Sequence, residues 1–399
     1  MVPSVSRLTL CGLVLAALVP APAQSPLRIS WSEGPEYPMG IQDSALGVLH
    51  GKVISAGGFT RHPKDILHTW PDIFAGAKSG FTNAVFVFDP RHAAAGWTRI
   101  ADVLGPARQA AAAAVAGDAL YVVGGFSYSA PHSYRSTYRL HEEGGRWIWS
   151  KLDAELPWPL CEAGVAVIGS KIYLTGGADF YAPAGVKDAE FNSERGRAGD
   201  PVGRALLVLD TANPRAGWQR LADLPGTPRF DSAVAAAVRK VYALSGVYRG
   251  DPRRSKGYCN VIDSWVYDPP TARWSRLPDL PHDSNQRAIP YGDRYLVLVG
   301  GYRYGVTRNP DGTETSIYSP TEKQADWKQF FERTVQVYDT RTNRLAAADP
   351  LPDKTSLPMG AIAGDTIFVL GGEGGTHLWH PATFFVGRIV ESRSAAGPG

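Results

Sequence analysis

A short apolar run that ends in two small residues occurs six times along the chain, and this repeat constrains the fold more than any other feature. Self-similarity of this kind indicates one supersecondary unit that is used many times. The six pairs of small residues are Gly57-Gly58, Gly124-Gly125, Gly176-Gly177, Ser245-Gly246, Gly300-Gly301 and Gly371-Gly372.

Each copy has similar neighbours. Upstream, a turn such as Gly117-Asp118 separates the apolar run from a second apolar stretch, which is typical of a tight hairpin. Downstream, an aromatic residue or leucine is followed by aspartate, as in Phe88-Asp89, and then by a tryptophan such as Trp97. The pattern therefore predicts four short antiparallel strands in each unit.

A four-stranded sheet cannot bury both of its faces alone, but several sheets arranged radially bury one another. The order of diglycine, Tyr/Phe-Asp and Trp resembles the kelch repeat, whose units form the blades of a β-propeller. The resemblance extends over residues 28–390. We therefore expect an all-β fold, a six-bladed kelch-type β-propeller with four antiparallel strands per blade.

The two ends of the chain suggest how such a ring closes. After the last diglycine, only the segment from Thr383 to Val390 remains to form a third strand, so the sixth unit lacks its tryptophan strand. The segment from Leu27 to Trp31 is an unattached strand of this type. We expect this N-terminal strand to complete the last blade, which would remove an open sheet edge.

The N-terminal residues predict export. Arg7 precedes an apolar stretch from Leu8 to Val19, and Ala21-Pro22-Ala23 has the small-x-small form of a cleavage site, so residues 1–23 are expected to be a signal peptide. The stretch is shorter than the about 20 residues that span a bilayer. We expect residues 24–399 to form one propeller domain, periplasmic or extracellular, without membrane insertion.

Charge and cysteine content narrow the partners. The chain has 41 basic and 38 acidic residues, a net charge of +3, and no run of like charges, which disfavours nucleic acid. Cys161 and Cys259 lie in different units, and the sequence leaves open whether they are bonded. No Cys-x-x-Cys motif occurs, so we expect no metal and no cofactor.

The connections after the second strands are long: residues 59–83, 178–203, 247–260 and 302–332. Loops of this length are usually functional. They mix aromatic and polar residues, which suits a small polar ligand such as a sugar or a glycan. The candidate ligand-binding residues on this face are Gln42, Asp43, Arg108, Asp179, Arg229, Asp231, Tyr248, Arg287 and Tyr302.

Two roles remain open for the arginines. Arg108, Arg229 and Arg287 could hold a sugar carboxylate through paired hydrogen bonds. Alternatively, each could bind loop backbone between neighbouring units. Glu162 and Glu373 are the candidate catalytic residues, because ionisable groups gathered in a cleft are typical of functional sites.

Among kelch proteins, the chain is similar to the bacterial exported mutarotases of N-acetylneuraminate. The shared features are the signal peptide, long insertions after the third and fifth diglycines, and the final Gly371-Gly372-Glu373. That family's proposed catalytic glutamate follows the fourth glycine motif, where this chain has Val247. The resemblance implies mutarotation, which requires one group to take the anomeric hydroxyl proton and another to protonate the ring oxygen. Our hypothesis assigns these roles to Glu162 and Glu373.

Two alternatives belong to other classes. The chain could be a propeller that binds a glycan or another protein without catalysis, through Tyr248, Arg249 and residues 302–304. Copper radical oxidases related to galactose oxidase also use kelch propellers, but one of their tyrosine ligands is directly followed by a histidine ligand. No Tyr-His dipeptide occurs here. His377 and His380 would point to opposite faces of a strand, which makes them poor joint ligands.

Overall fold

We describe a computed structural model of the chain. The described residues are 25–60, 80–128, 131–181, 190–192, 202–249, 258–281, 285–302, 306–309, 311–316, 331–374 and 381–392. Within them the chain is almost entirely β-strand and turn, as expected from the repeat. The helices are three short 3-10 segments, Pro90–Ala95, Val202–Arg204 and Pro214–Ala216.

The repeats fold into four-stranded antiparallel sheets, which we number 1 to 6 in chain order. In sheets 1 to 5, the four strands follow one another along the chain. From the first strand to the fourth, the sheets comprise Ala45–Leu49, Lys52–Ala56, Val85–Phe88 and Trp97–Ile100; Ala112–Ala116, Ala119–Val123, Thr137–Glu143 and Arg146–Leu152; Gly164–Ile168, Lys171–Thr175, Leu206–Asp210 and Gln219–Arg220; Ala233–Ala237, Lys240–Leu244, Ser264–Asp268 and Arg273–Leu277; Asn285–Tyr291, Tyr295–Tyr302, Val335–Asp339 and Arg344–Ala347; Met359–Ala363, Thr366–Leu370, Phe384–Glu391 and Leu27–Glu33.

Sheet 2 shows why the repeated sequence forms this unit. Its first two strands are joined by Gly117 and Asp118, and Gly117 has a positive φ of 60°, as a tight hairpin turn requires. All five residues of Ala119–Val123 are buried, because this second strand lies between neighbouring sheets on both faces. The apolar runs in the sequence are therefore these second strands.

Sheet 6 joins the two ends of the described chain. The strand Leu27–Glu33 pairs antiparallel with Phe384–Glu391, and Trp31 lies opposite Gly387. The indole nitrogen of Trp31 donates a hydrogen bond to the Asp349 backbone oxygen (3.0 Å), just beyond the last strand of sheet 5. Equivalent bonds join Trp149 to Ala101 and Trp274 to Ala222. The repeated tryptophan thus ties each outer edge to the chain of a preceding sheet.

Apolar clusters lie between successive sheets. Sheet 6 packs against sheet 1 in the same way, and Phe384 contacts Phe88 and Trp97 with ring centroids 5.2 and 4.9 Å apart. The first strands of the sheets contact one another in chain order, and Met359–Ala363 of sheet 6 contacts Ala45–Leu49 of sheet 1. The hydrophobic core is thus divided among the interfaces between sheets.

The diglycines mark the end of the second strand, where the backbones of two sheets meet. The amide of Gly125 donates to the carbonyl of Leu160 (2.9 Å), at the entrance to the next sheet. Gly124 has a φ of 66°, and a Cβ atom there would overlap the same carbonyl oxygen. Small residues are required because the neighbouring backbone leaves no space for a side chain.

Two long insertions combine into a further four-stranded sheet at the diglycine end. Its strands are Gly246–Tyr248, Cys259–Val261, Val306–Arg308 and Glu314–Ser316, and Cys259–Val261 pairs parallel with Val306–Arg308. Three two-stranded pairs flank the same end. They are Ile41–Gln42 with Phe59–Thr60, Asp179–Tyr181 with Glu190–Asn192, and Thr355–Ser356 with Glu373–Gly374.

Some predictions lie outside the described residues. These are the signal peptide, residues 1–23, the histidines His377 and His380, and most of the long connections. Cys161 and Cys259 are both buried and free, so they do not bond to each other. No helix in the described part of the chain is long and apolar enough to cross a membrane.

Candidate functional site

The turn that leads into each first strand directs a side chain toward the middle of the assembly. Asp43, Glu162 and Asp231 occupy equivalent positions in sheets 1, 3 and 4, with φ values of 50°, 52° and 48°. Ala110 occupies this position in sheet 2. The amide of Ala110 donates to the carbonyl of Asp43, that of Glu162 to Ala110, and that of Asp231 to Glu162, at 3.0 to 3.1 Å. These bonds fix the turns relative to one another.

Arg287 is the centre on which three carboxyl groups converge. Its Nη2 lies 3.3 Å from Asp43 Oδ1, 3.1 Å from Glu162 Oε2 and 3.2 Å from Asp231 Oδ1. Arg287 occupies the start of the first strand, opposite Val299, a register position at which sheet 1 has Ala45. A long cation in place of a small residue thus fills the space between sheets.

Gln42 connects this group to Glu373. Its Nε2 donates to Asp43 Oδ2 (3.1 Å) and to Glu373 Oε1 (2.7 Å), so one amide spans two carboxyl groups. The position between two acceptors identifies this atom as the nitrogen. The Oε1 atom on the same amide is buried and has no hydrogen-bond partner, and the Gln42 residue is 5% exposed. We call Gln42, Asp43, Glu162, Asp231, Arg287 and Glu373 the central cluster.

Burial shifts the ionisation of the carboxyl groups. It raises the pKa of Asp43 to about 6, against the opposing charge of Arg287. It raises the pKa of Glu373 to about 8, and the nearby Asp43 carboxylate adds to the effect. The pKa of Glu162 is well above its usual value because of burial and of the charges on Asp231 and Asp43. At neutral pH, Asp43 is therefore mainly ionised, whereas Glu373 is mainly protonated.

Arg287 remains charged in this setting. Burial opposes its charge, but the carboxylates of Asp231, Glu162 and Asp43 together raise the pKa of its guanidinium above the usual value. Its side chain is 23% exposed, whereas those of the three carboxylates are 3 to 4% exposed. The cluster therefore contains four carboxyl groups and one cation.

The cluster lies at one end of a channel between the first strands. The channel has a volume of about 600 Å³, and Asp43, Glu162 and Arg287 line one end of it. Its wall is formed largely by small side chains such as Ala112, Ala114, Ala235 and Ala237. Arg239 and Asp293, from the turns between strands, line it as well. Polar chemistry in the channel is thus concentrated among the cluster residues.

Aromatic side chains form a wall beside the cluster. Phe59 contacts Phe81, Phe81 contacts Tyr128, and Phe126 contacts Phe180, with ring centroids 4.7 to 5.0 Å apart. Burial raises the pKa of Tyr128, and the carboxylates of Glu373 and Asp43 raise it further. Tyr128 is therefore close enough to the cluster to respond to its charge.

Two predicted arginines lie apart from the cluster. Arg229 is fully buried, and its Nη2 forms an ion pair with Asp263 Oδ2 (2.6 Å) while Nη1 donates to the backbone oxygens of Ser245 and Asp263. Arg108 Nη1 donates to the Gly124 oxygen and to Ser136 Oγ. In both, the backbone-binding alternative describes the observed contacts. Asp263 was absent from our candidate residues, because no motif marks it.

The remaining candidates surround the cluster without joining it. Asp179 is fully buried at the start of the strand Asp179–Tyr181. Tyr248 lies beneath the Arg308 guanidinium, 4.4 Å from its ring centroid. Of Tyr302, only its place at the end of Tyr295–Tyr302 is described. Val247 is fully buried in the apolar cluster of Phe126 and Phe230.

Metal binding was also considered. In the described part of the chain, no group of three or more His, Cys, Asp or Glu residues is arranged to hold a metal ion. In the central cluster, Arg287 already occupies the position between the three carboxyl groups. The donor set is therefore suited to proton transfer and hydrogen bonding.

Comparison with known proteins gives partial matches. An N-acetylneuraminate epimerase of Yersinia enterocolitica is 27% identical over 164 residues, 38% of this chain and 41% of its own length. The kelch-like protein terF of Aspergillus terreus is 26% identical over 273 residues, 67% of this chain and 50% of its own length. A Brucella suis N-acetylneuraminate epimerase is 32% identical over 103 residues, 25% of this chain and 26% of its own length.

These relatives confirm the resemblance to kelch-repeat proteins related to the bacterial neuraminate mutarotases. No protein-family model matches the chain. The matches span less than half the length of the epimerases, 41% for the Yersinia protein and 26% for the Brucella protein.

Proposed function

We propose that the protein is an exported six-bladed kelch propeller whose central cluster exchanges the anomers of a small carbohydrate. The contact of sheet 6 with sheet 1 and the pairing of Leu27–Glu33 with Phe384–Glu391 support a closed ring. The apolar run ahead of Ala23 supports export and signal-peptide cleavage. The partial likeness to proteins named N-acetylneuraminate epimerase supports carbohydrate as the substrate class.

One observation carries the proposal: the Gln42 amide holds the carboxyl groups of Asp43 and Glu373 together, with pKa values of about 6 and about 8. An acid and a base that differ in this way can work together at neutral pH. Glu162 is bound to Arg287, so we assign the base to Asp43 in place of Glu162 and retain Glu373 as the acid.

The proposed reaction opens and recloses the sugar ring. Asp43 takes the proton of the anomeric hydroxyl while Glu373 protonates the ring oxygen, and the bond between the anomeric carbon and the ring oxygen breaks. The carbonyl form rotates, the ring hydroxyl attacks either face, and the two residues exchange their protons back. No proton or electron is consumed overall. Acid–base groups of this kind typically contribute about 10²- to 10⁴-fold to a rate.

The pH dependence provides the test. We expect kcat/KM for anomer exchange to rise with pH through about 6, as Asp43 ionises, and to fall above about 8, as Glu373 loses its proton. Both limbs belong to the coupled cluster as a whole. Magnetisation-transfer NMR on N-acetylneuraminate, glucose and glucosamine between pH 5 and 9 would measure it. A rate equal to the buffer rate for all three sugars would contradict the proposal.

A binding protein without catalysis is the second candidate. Val247, at the position where the resembled mutarotases have glutamate, is buried in an apolar cluster, and an aromatic wall adjoins the central cluster. Aromatic side chains contribute strongly to recognition surfaces. Saturable glycan or protein binding with no acceleration of anomer exchange would favour this candidate.

A further inference from the structure

The central cluster has more hydrogen-bond acceptors than donors. Its carboxyl oxygens come from Asp43, Glu162, Asp231 and Glu373, and its nitrogen donors come from Arg287 and Gln42. The Nε2 atom of Gln42 already donates to two carboxyl groups. A ligand that complements this arrangement must bring donors of its own.

The buried Oε1 of Gln42 gives independent support. It has no hydrogen-bond partner, although it belongs to the amide that touches both Asp43 and Glu373. An unpaired buried acceptor costs about 1–3 kcal/mol, so a site that contains one gains from a donor group at this point. This oxygen, Asp43 and Glu373 thus form a set of acceptors around one small volume.

The arginines expected to bind a sugar carboxylate are already engaged. Arg229 is paired with Asp263, and Arg108 donates to Gly124 and Ser136. Arg287 faces three carboxyl groups. An anionic substrate would therefore approach a group of carboxyls whose single cation is shared among them.

We infer that the site takes a cationic amino sugar, with its ammonium group among Asp43, Glu373 and Gln42 Oε1. An ammonium has three donors and no acceptor, which matches the acceptors on offer. Charge-assisted hydrogen bonds of this kind are about twice as strong as neutral ones. This inference names the substrate class of the site in our proposed function and rests on that site being the sugar-binding one.

Calorimetric titration at pH 6.5 with four sugars that share one ring tests the inference. The probes are D-glucosamine, D-glucose, N-acetyl-D-glucosamine and D-glucuronate. We expect glucosamine to bind at least about tenfold more tightly than glucose, a difference of about 1.4 kcal/mol, and glucuronate no more tightly than glucose. Equal affinities, tighter binding of glucuronate, or no glucosamine binding at millimolar concentration would overturn it.

Proton release gives a second readout. The carboxyl groups of Asp43 and Glu373 have raised pKa values and would ionise beside an ammonium. The glucosamine binding enthalpy should therefore differ between phosphate and Tris buffers in the direction of proton release. Proton uptake would contradict an ammonium at this place.

Matched variants locate the binding. In Asp43→Asn we expect glucosamine affinity to fall about tenfold, to the level of glucose, and asparagine tolerates the φ of 50° at this position. Asp118→Asn, on an exposed turn, should bind as the wild type does. If the Asp43 variant does not fold, Glu373→Gln takes its place. An unchanged preference in the folded variant would overturn the inference.

The two proposals can fail separately. Preferential glucosamine binding without faster anomer exchange would remove the catalytic proposal and leave the ligand class standing. Faster exchange of N-acetylneuraminate than of glucosamine, together with tighter glucuronate binding, would remove the ligand class and leave catalysis standing.

Discussion

Glu373→Gln is expected to lower the catalysed rate of anomer exchange by about 10²- to 10⁴-fold, because it removes the proton that the proposed mechanism gives to the ring oxygen. The amide retains an oxygen that can accept from Gln42 Nε2, which now donates at 2.7 Å, so the surrounding contacts are preserved. The measurement is magnetisation-transfer NMR at pH 7 on the sugar that the wild type turns over fastest.

The control is the same substitution at an exposed position. Glu155 lies on the surface beside Lys151, and Glu155→Gln should exchange anomers at the wild-type rate. Thermal melts of all three proteins would show whether the fold is retained. A folded Glu373 variant that keeps its rate within twofold of wild type would remove Glu373 from the mechanism.

Ile29→Ala is expected to lower the free energy of unfolding by about 2–5 kcal/mol. Ile29 is 3% exposed and packs in the cluster between sheets 5 and 6, with Val335 and Ile367. It lies on the N-terminal strand that pairs with Phe384–Glu391. If this strand completes the ring, the cavity left by the substitution weakens the junction of the chain ends.

Ser30→Ala is the matched control, because Ser30 is the next residue on the same strand and faces solvent. Its effect should stay within about 0.5 kcal/mol, as is usual for surface positions. Chemical denaturation of the mature protein measures both. Similar, small effects for the two variants would indicate that the N-terminal strand does not hold the last sheet.

The repeated units could be predicted from the sequence, because each diglycine, turn and tryptophan records a local requirement. Gly124 is small since the Leu160 carbonyl passes over it, and Gly117 turns a hairpin. Such constraints recur in every unit and are visible without knowledge of the neighbours. The placement of Trp31 beside the last strand also followed, from counting strands.

The composition of the central cluster was only partly predictable. Asp43, Asp231 and Arg287 were candidates as loop residues, but their convergence depends on how sheets 1, 4 and 5 are oriented about one axis. No local pattern encodes that arrangement. The partner of Arg229 was missed for the same reason, since Asp263 lies 34 residues further along the chain in an unremarkable segment.

The additional sheet could not be predicted either. It joins strands from the insertions after the fourth and fifth diglycines, and its central pair, Cys259–Val261 with Val306–Arg308, is parallel. Three-residue strands carry almost no periodic signal. Their pairing depends on two insertions that meet above the same end of the sheets.

The central claim is that the sheets gather Gln42, Asp43, Glu162 and Glu373 into one buried group whose carboxyls ionise late. The most direct test is a titration followed by NMR of protein labelled with ¹³C at the glutamate side-chain carboxyls. Two glutamate signals should remain protonated at pH 6, and one that titrates near pH 8 should be absent from Glu373→Gln. Ionisation of every glutamate below pH 5 would contradict the account.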